Sequence, residues 1–279
     1  MFRLCCFCII SIIILWWCKE RYTASFYKKR RIKTLHTIPR NNYIITYNVQ
    51  RMPFHLKPFY KLKRIVRRYS IVLLQECYSN IFYDEIQHHF PDFYIAKGLM
   101  MNYRLVHSGL VILSRYPILS HTFVPYEDQT LLSADILAEK GFLLVEIVFH
   151  GKRIIIINTH LQSNTIENDY SISLRQMNQL LSYVKKLTIP FIIGGDFNVS
   201  YTAFPITSYT LYRSMSPTIY IQYDKDGNEL DTSSSKKPNY KPFIFDYFLT
   251  HNIILSSTHC ISTEYSDHVP VVSTISHVL

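Results

Sequence analysis

Short apolar segments rich in β-branched and aromatic residues recur from residue 41 onward, and they constrain the fold more than any other feature of the chain. Apolar runs of about four to eight residues between turn residues are typical of buried β-strands. Such segments are YIITYNV (43–49), IVLLQE (71–76), SGLVILSRYPI (108–118, a strand and a turn), GFLLVEIVFHGKRIIIINTHL (141–161), FII (191–193), FIFDYFLT (243–250) and VPVVSTIS (269–276). We expect a strand in each, and a hairpin in the longest, where two apolar runs flank residues 150–152.

Few segments have helical character. Residues 57–69 combine helical apolar spacing with a basic outer face, and residues 172–187 form the best amphipathic pattern. Ser79 is placed to cap a further helix that runs toward His89. Many strands and few helices indicate a layered α/β architecture, and they argue against a TIM barrel or a doubly wound sheet, in which a helix follows nearly every strand. Residues 200–242 are rich in Tyr, Ser and Pro and are expected to be irregular.

The first 40 residues differ in composition from the rest. Residues 4–18 are apolar, carry no charge and close with Trp16 and Trp17, as at a membrane interface. This run is shorter than the roughly 17–25 residues that span a bilayer. A signal-anchor transmembrane helix, a cleaved signal peptide and a buried or interfacial helix all remain open. We therefore divide the chain into an apolar segment (1–18), a basic tether (19–40) and one catalytic domain (41–279).

The net charge of +10 is concentrated in the same region. Residues 1–40 contain nine Lys/Arg and one acidic residue, which leaves 21 basic and 19 acidic residues in the remainder. A nearly neutral body argues against a polynucleotide substrate, because duplex binding needs a concentrated basic face. If residues 4–18 span a membrane, the positive flank favours a cytosolic body and attracts anionic lipid; if they are cleaved, the protein is secreted.

The cysteines do not form a disulfide framework. Four of the six lie in or beside the apolar segment, and the body contains Cys77 and Cys260 alone. Their spacing fits no zinc motif, and a reducing compartment is the simpler interpretation.

Polar residues follow the predicted strands repeatedly. They are Asn48, Gln75-Glu76, Asn158-Thr159-His160, Asp196 and Asn198 after the glycines of IPFIIGGDFNVS, Asp246 inside an apolar strand, and Asp267-His268 before the last strand. A buried carboxylate without a partner costs several kcal/mol, so Asp246 needs one, and a histidine is suitable. Because strand ends on one rim of a sheet converge, we expect one cleft. The glycines are expected to let the backbone approach a phosphate closely.

Two kinds of chemistry fit this set. Oxygen ligands such as Asn48, Glu76 and Asp267 suit Mg²⁺ better than zinc. A histidine oriented by a carboxylate is a general base, and His268 with Asp246 would form that pair. The set predicts metal-assisted hydrolysis of a phosphate ester.

The remaining three side chains fit the same reaction. Asp196 and Asn198 would position water, backbone N–H groups at the glycine turn would donate to a phosphoryl oxygen, and His160 would stabilise the developing charge. A nucleophile elbow of the G-x-S-x-G type is not apparent in the sequence, so covalent catalysis fits worse.

These motifs carry a family resemblance. TYNVQ, LLQE, SGLVILSRYPI, NTHLQ, GGDFNV, FDYFL and YSDHVPV occur in the order found in the endonuclease/exonuclease/phosphatase superfamily, which the chain resembles over roughly residues 41–279. The resemblance implies the DNase I-like fold, a four-layer α/β sandwich of two packed mixed β-sheets with the active site at one end. It also implies that Glu76 is the principal Mg²⁺ ligand, that Asn48 supports it and that Asp267 lies near the metal.

The resemblance assigns the other roles in the same way. Asp196 and Asn198 are implied to orient water and phosphate, and His160 to contact the phosphate. His268 is implied to be the acid/base histidine that pairs with Asp246.

Within that superfamily the chain is most similar to sphingomyelinase C enzymes. The similarity rests on GF at 141–142, THLQS, a helix that contains Arg175 and NQL, GGDFNV and YSDHVPV followed by TIS. It implies a phosphodiesterase that releases phosphocholine and ceramide, and we expect a monomer that depends on Mg²⁺. The spacing from Arg175 to the following Gln departs from the pattern, which puts the role of Arg175 in doubt. Tyrosines of the 200–242 segment are either a choline cage or packing and surface residues.

Three alternatives remain from the sequence. A nuclease of the same superfamily shares LQE, GDxN, DYFL and SDH, but abasic-site endonucleases lack a histidine at the position of His160. An inositol polyphosphate 5-phosphatase is disfavoured because the region around YKPFIFDYF lacks its Trp, Cys and Arg signature. An inactive membrane-tethered binding module is disfavoured because every expected catalytic residue type is present.

Overall fold

The computed structural model describes residues 41–51, 57–98, 106–129, 138–163, 170–199, 218–220 and 245–279. The apolar segment, the basic tether and nearly all of the 200–242 segment lie outside the described residues, so the choice between a choline cage and packing or surface tyrosines is not tested. In the parts of the chain that are described, no helix has the length and apolar character needed to cross a bilayer.

The described chain contains twelve strands and three helices. The strands are β1 (Tyr43–Arg51), β2 (Ile71–Cys77), β3 (Tyr94–Lys97), β4 (Val111–Ser114), β5 (Ile118–Pro125), β6 (Gly141–Phe149), β7 (Lys152–His160), β8 (Phe191–Asp196), β9 (Thr218–Tyr220), β10 (Asp246–His251), β11 (Ile253–Cys260) and β12 (Val271–Val278). The helices are α1 (Phe59–Val66), α2 (Asn80–His89) and α3 (Ser171–Val184).

The strands form two six-stranded sheets with the same pattern of pairing. Sheet 1 has the order β11-β12-β1-β2-β4-β3, and sheet 2 has the order β5-β6-β7-β8-β10-β9. Within these two sheets β1–β2 and β7–β8 pair in parallel and all other neighbours are antiparallel, so both sheets are mixed. Each parallel pair brings two carboxyl-terminal strand ends to one edge of its sheet.

Alternation along the strands divides the apolar residues between three cores. Ile44 of β1, Leu73 of β2 and Ile192 of β8 pack between the two sheets. The intervening residues of sheet 1, such as Ile45, pack under α1 and α2, and those of sheet 2 pack under α3. The order is therefore helix, sheet, sheet, helix, which confirms the predicted four-layer α/β sandwich. The period of two in a strand causes this division.

The central elements agree with the sequence predictions. The 141–161 hairpin is present as β6 and β7, paired along their whole length. Ser79 caps α2, since its Oγ accepts the N–H of Phe82 at 3.3 Å. Helix α1 starts at Phe59, later than predicted, because Pro58 has an extended ψ of 117° and forms the N-cap.

The four strands that the sequence did not predict are all at sheet edges. They are β3 and β11 in sheet 1 and β5 and β9 in sheet 2. Half of the residues of β5 and half of those of β11 are exposed. Edge strands of this kind carry polar residues on the solvent side and lack a continuous apolar run. The prediction that residues 200–242 are wholly irregular was wrong for β9.

Candidate active site

The predicted polar residues meet at one end of the layer between the sheets. Asn48 continues the inward-facing series of Ile44 on β1, and Asp196 continues that of Ile192 on β8. His160 and Asp246 lie opposite Asp196 on the neighbouring strands of sheet 2, in register with it. The alternation that builds the inter-sheet core therefore also directs these side chains into one cleft.

Asp196 lies at the centre of the cleft. Its Oδ2 accepts the amide N–H of Asn48 at 2.9 Å, and its Oδ1 accepts the backbone N–H of Asn198 at 3.0 Å. The Nε2 atom of His268 is 3.6 Å from the same Oδ2. Burial alone would raise the pKa of Asp196, but His268 and these hydrogen bonds outweigh it and lower the pKa. Asp196 is thus an ionised carboxylate although only 1% of its side chain is exposed.

His268 lies between two carboxylates. Its Nδ1 is 2.7 Å from Oδ2 of Asp246, which is the expected pair, and its Nε2 faces Asp196. Burial lowers the pKa of His268, and Asp246 and then Asp196 raise it well above its usual value. The imidazole is therefore protonated at neutral pH, and both ring nitrogens are donors. Its side chain keeps 13% of its surface exposed.

Glu76 has an unusual backbone conformation that directs it into the cleft. Alternation along β2 would place it on the helix-covered side with Val72 and Leu74. Its φ is instead +59°, and its Oε1 accepts the amide N–H of Asn48 at 3.0 Å. A positive φ at a residue other than glycine costs about 1–3 kcal/mol and is typical of functional sites. Gln50 and Asn198, at the same edge, also have positive φ values of 46° and 48°.

The Glu76 carboxylate fits a cation. Burial raises its pKa, and the hydrogen bond from Asn48 and the charge of Lys140 only partly offset this effect. A carboxylate that is costly to ionise in isolation gains from a bound divalent ion, and oxygen donors are those that Mg²⁺ prefers.

Asn48 joins two carboxylates rather than only one. Its amide nitrogen donates to both Glu76 and Asp196, and its Oδ1 accepts the backbone N–H of Gln50 at 3.0 Å. This Oδ1 retains a second lone pair. Asn48 therefore holds Glu76 and Asp196 at a fixed separation, with one lone pair left for an ion.

The structure does not bring Asp267 into the Asp196 centre. It is exposed, and its Oδ2 accepts Nε2 of Gln50 at 2.6 Å. Gln50 in turn accepts the ammonium of Lys57 at 2.9 Å. Asp267 is thus part of the cleft rim, fixed to the end of β1.

Asn198 and the two glycines have packing roles that the sequence did not predict. The amide nitrogen of Asn198 donates to the carbonyl oxygen of Leu161 at 2.9 Å, which fixes the loop after β7. A Cβ on Gly194 would lie 2.7 Å from Leu73, and one on Gly195 would lie 2.0 Å from the carbonyl oxygen of Thr159. The glycines therefore allow β8 to approach β7 and sheet 1 closely, a different reason from the phosphate approach expected above.

Lys140 is a site residue that the sequence analysis missed. It is 1% exposed, and its Nζ lies 3.2 Å from Nε2 of His160 and 3.2 Å from the carbonyl oxygen of Leu161. His160 Nε2 is also 3.5 Å from Asp196, but one nitrogen cannot accept from Lys140 and donate to Asp196 together. The shorter contact makes Nε2 an acceptor and places the positive charge on Lys140. Its only sequence signal is a lysine directly before the GF pair.

A buried network of side-chain amides connects the sheets below the cleft. The Gln75 amide nitrogen donates to Thr46 at 3.0 Å and to Asn158 at 2.7 Å. Asn158 donates across the interface to the backbone carbonyls of Leu74 and Val111. These residues are adjacent to Glu76 and His160 in the sequence, so the network fixes the two sides of the cleft relative to each other.

One group of carboxylate and imidazole side chains is close enough to hold an ion. Among the residues with described positions, Asp196, Asp246 and His268 have ligand atoms within 4.8 Å of one another. The proton on His268 already balances charge there, whereas at Glu76 the charge of Lys140 only partly offsets the effect of burial. We therefore regard these three as an acid/base group and Glu76 as the better metal position.

Two bacterial proteins are similar to part of this chain. Phospholipase C of Staphylococcus aureus is 29% identical over 155 residues, which is 51% of this chain and 46% of that protein. Sphingomyelinase C of Listeria ivanovii is 34% identical over 117 residues, or 38% of this chain and 33% of that protein. The matched part thus spans less than half the length of either relative.

Solved structures share the fold. A beta toxin from Staphylococcus aureus superposes with a TM-score of 0.68 at 18% identity, covering 85% of this chain and 100% of the toxin. A mutant of beta toxin with bound magnesium ions superposes with a TM-score of 0.64 at 19% identity, with coverage of 85% and 100%.

The sequence also matches a family description over most of the described body. The match runs from residue 45 to residue 268 and includes every strand end that contributes to the cleft. The chain belongs to the Endonuclease/Exonuclease/phosphatase family.

Proposed function

We propose that the chain is a Mg²⁺-dependent phosphodiesterase that acts on a phospholipid of the sphingomyelin type. The observation that carries this proposal is the pair of His268 and Asp246 facing the ionised Asp196 beside Glu76. The names of the relatives, a phospholipase C and sphingomyelinases C, support a phospholipid over a nucleic acid.

The metal would be held by Glu76. The free lone pair of Asn48 Oδ1 and the rim carboxylate of Asp267 are the further oxygen donors. When bound, Mg²⁺ supplies Lewis-acid stabilisation of negative charge on the phosphoryl oxygens.

Asp196 and the residues around it have different roles in water positioning and proton transfer. Asp196 is ionised and fixed by Asn48 and Asn198, so it orients the attacking water by accepting a hydrogen bond from it. His268 carries a proton, and its Nε2 faces Asp196, so it donates that proton to the leaving alcohol oxygen as one phosphorus–oxygen bond breaks. It regains a proton from the attacking water as the new phosphorus–oxygen bond forms, and the other hydrogen of the water stays on the phosphomonoester. Asp246 keeps the ring in place and favours its charged form.

Lys140 and His160 form the opposite wall. The Lys140 ammonium is buried and fixed by Leu161 and His160, so it is preorganised to stabilise negative charge that develops beside His160. Asn198 would complete this wall with its remaining amide hydrogen.

The same proposal includes the location and state of the protein. It binds a membrane through residues 4–18 and the basic flank, its body is cytosolic, and it is a monomer. A cleaved apolar segment would instead give a secreted enzyme. The set of catalytic residue types is complete, which favours an enzyme over an inactive binding module.

A substrate panel tests the activity. We would purify the full chain in detergent and measure hydrolysis of sphingomyelin, lysophosphatidylcholine, supercoiled plasmid and an abasic-site duplex, each with Mg²⁺ and with EDTA. We expect Mg²⁺-dependent release of phosphocholine. Cleavage of DNA without cleavage of either lipid would refute the lipid assignment.

Calorimetry with Mg²⁺ tests the metal position. Glu76→Gln is expected to remove Mg²⁺ binding, while Asp246→Asn is expected to keep it. Glu146→Gln is a matched control, because Glu146 forms an ion pair with Arg153 on sheet 2, away from the cleft. Loss of binding in Asp246→Asn with binding kept in Glu76→Gln would move the ion to the Asp196–Asp246–His268 group.

A further inference from the structure

Helix α1 and the turn after it present an exposed basic face outside the cleft. This face consists of Tyr60, Lys61, Arg64, Arg67 and Arg68, all of them exposed. At about 100° per residue these five positions fall within an arc of about 120°. The opposite side carries Phe59, Leu62 and Val66, which are buried against sheet 1.

The charges of this face are not neutralised within the described part of the chain. The four basic side chains form no ion pair and donate no hydrogen bond there, whereas Arg51, Arg115, Arg153 and Arg175 each pair with a carboxylate. Residues 57–75 contain six basic residues and no acidic one. In a body with 21 basic and 19 acidic residues, this is a local concentration of positive charge.

The stability of the helix accounts for only part of this pattern, because Arg64 in the last turn and Arg67 at the C-cap suit the helix dipole. Lys61 lies in the first turn, where the helix dipole disfavours a cation, and that turn contains no acidic residue. Arg64 and Arg68 are four residues apart, a spacing at which like charges repel. An anionic partner outside the chain would offset the unfavourable position of Lys61 and the repulsion between Arg64 and Arg68.

The face begins beside the cleft. Lys57, directly before the N-cap of α1, donates to Gln50, and Gln50 donates to Asp267 at the rim. Tyr60 and Lys61, in the first turn, are thus the part of the face nearest the cleft. Tyr60 is 68% exposed, and an exposed tyrosine beside cations suits a membrane–water interface.

We propose that this face docks the protein on an anionic lipid surface. An exposed row of cations with an aromatic residue at one end binds such a surface through charge and shallow insertion. The choice of lipid over polynucleotide rests on the proposed phospholipid substrate. Docking places the cleft rim next to the lipid headgroups and is independent of the apolar N-terminal segment.

Acetylation of lysines in the full chain tests the location of the contact. The chain is bound to vesicles of phosphatidylcholine, or of equal parts phosphatidylcholine and phosphatidylserine, in EDTA so that no turnover occurs. Mass spectrometry then gives the labelling rate of each lysine. We expect phosphatidylserine to slow labelling of Lys61 roughly fivefold or more, and to leave Lys185 and Lys186, which are exposed after α3, unchanged.

Two double variants with the same change in net charge test the energetics. Arg64→Gln with Arg68→Gln is expected to weaken the phosphatidylserine-dependent part of vesicle binding roughly thirtyfold, from about a factor of five for each cation. Lys185→Gln with Lys186→Gln is the control and should keep that binding. Thermal melts by circular dichroism confirm that both variants fold.

Three results would overturn the proposal: labelling of Lys61 that is equal on both vesicles, equal loss of binding in the two double variants, or protection of Lys61 by duplex DNA but not by phosphatidylserine. Lipid docking without hydrolysis of any substrate would refute the proposed activity and leave the docking face intact. Hydrolysis with equal labelling would refute the docking face alone.

Discussion

Replacement of His107 by Asn is expected to remove a specific loss of stability in mild acid. His107 is 9% exposed, just before β4, and its Nδ1 accepts the backbone N–H of Gly109 at 3.2 Å. Burial, and then the charge of Lys97, lower its pKa from 6.5 to about 4. Protonation would place a charge in a buried site and break the hydrogen bond from Gly109.

The sign and size of the effect follow from linkage. In the unfolded chain His107 takes up a proton as the pH falls through 6.5, whereas in the folded chain it stays neutral until about pH 4. The unfolded state therefore binds more protons between these values, and folding is destabilised as the pH falls. Between about pH 7.5 and about pH 5 this single residue lowers the free energy of unfolding by about 2 kcal/mol.

Urea denaturation followed by circular dichroism, at both pH values, measures the difference. An Asn Oδ1 can accept the same N–H two residues on, as in an Asx-turn, so the variant keeps the hydrogen bond and loses the titration. We expect the variant to lose about 2 kcal/mol less than the wild type between the two pH values. The other histidines contribute equally to both proteins. Equal losses would refute the assignment of the pH dependence to His107.

Three further predictions concern the cleft. Asp246→Asn removes the largest positive contribution to the pKa of His268, so the alkaline limb of the pH–rate profile should move to lower pH, with turnover reduced by about 10²–10⁴; an unmoved limb would contradict the acid role. Glu76→Gln should abolish Mg²⁺-dependent activity. Urea titration at neutral pH should show a free energy of unfolding that is unchanged or slightly increased, because the raised pKa of Glu76 means that its ionised form is costly in the folded chain. A large loss of stability would refute this account of Glu76. Gly195→Ala should destabilise the fold by about 1–3 kcal/mol or more, because the added Cβ would lie 2.0 Å from the Thr159 carbonyl oxygen. A melting temperature equal to that of the wild type would contradict the close approach of β7 and β8.

The sequence was most informative where burial is complete. Central strands such as β2 and β8 are continuous apolar runs, because both of their faces are covered, and their ends in Glu76 and Asp196 are visible directly. The edge strands β3, β5 and β11 were missed because one side faces solvent and the apolar run is broken. This difference between central and edge strands explains why the layers were predicted correctly, whereas the number of strands in each sheet was not predicted.

Which side chains of the cleft contact each other was harder to predict than which side chains line the cleft. The pairing of His268 with Asp246 was expected because a carboxylate inside an apolar strand needs a partner. The link from Asn48 to two carboxylates was not, since it depends on how far β1 and β8 are separated across the sandwich. Lys140 was also missed, because its burial beside His160 depends on the register between β6 and β7.

The sequence by itself determined the layered α/β class, the central strands and the types of residue at their ends, because periodicity and burial are local properties of the chain. Only the tertiary structure decided which of those residues touch. It brought His160 and Asp246 beside Asp196, directed Glu76 inward through a left-handed backbone conformation, and left Asp267 at the rim. Contacts between residues far apart in sequence depend on strand register and sheet packing, and those are set by the whole core rather than by any one segment.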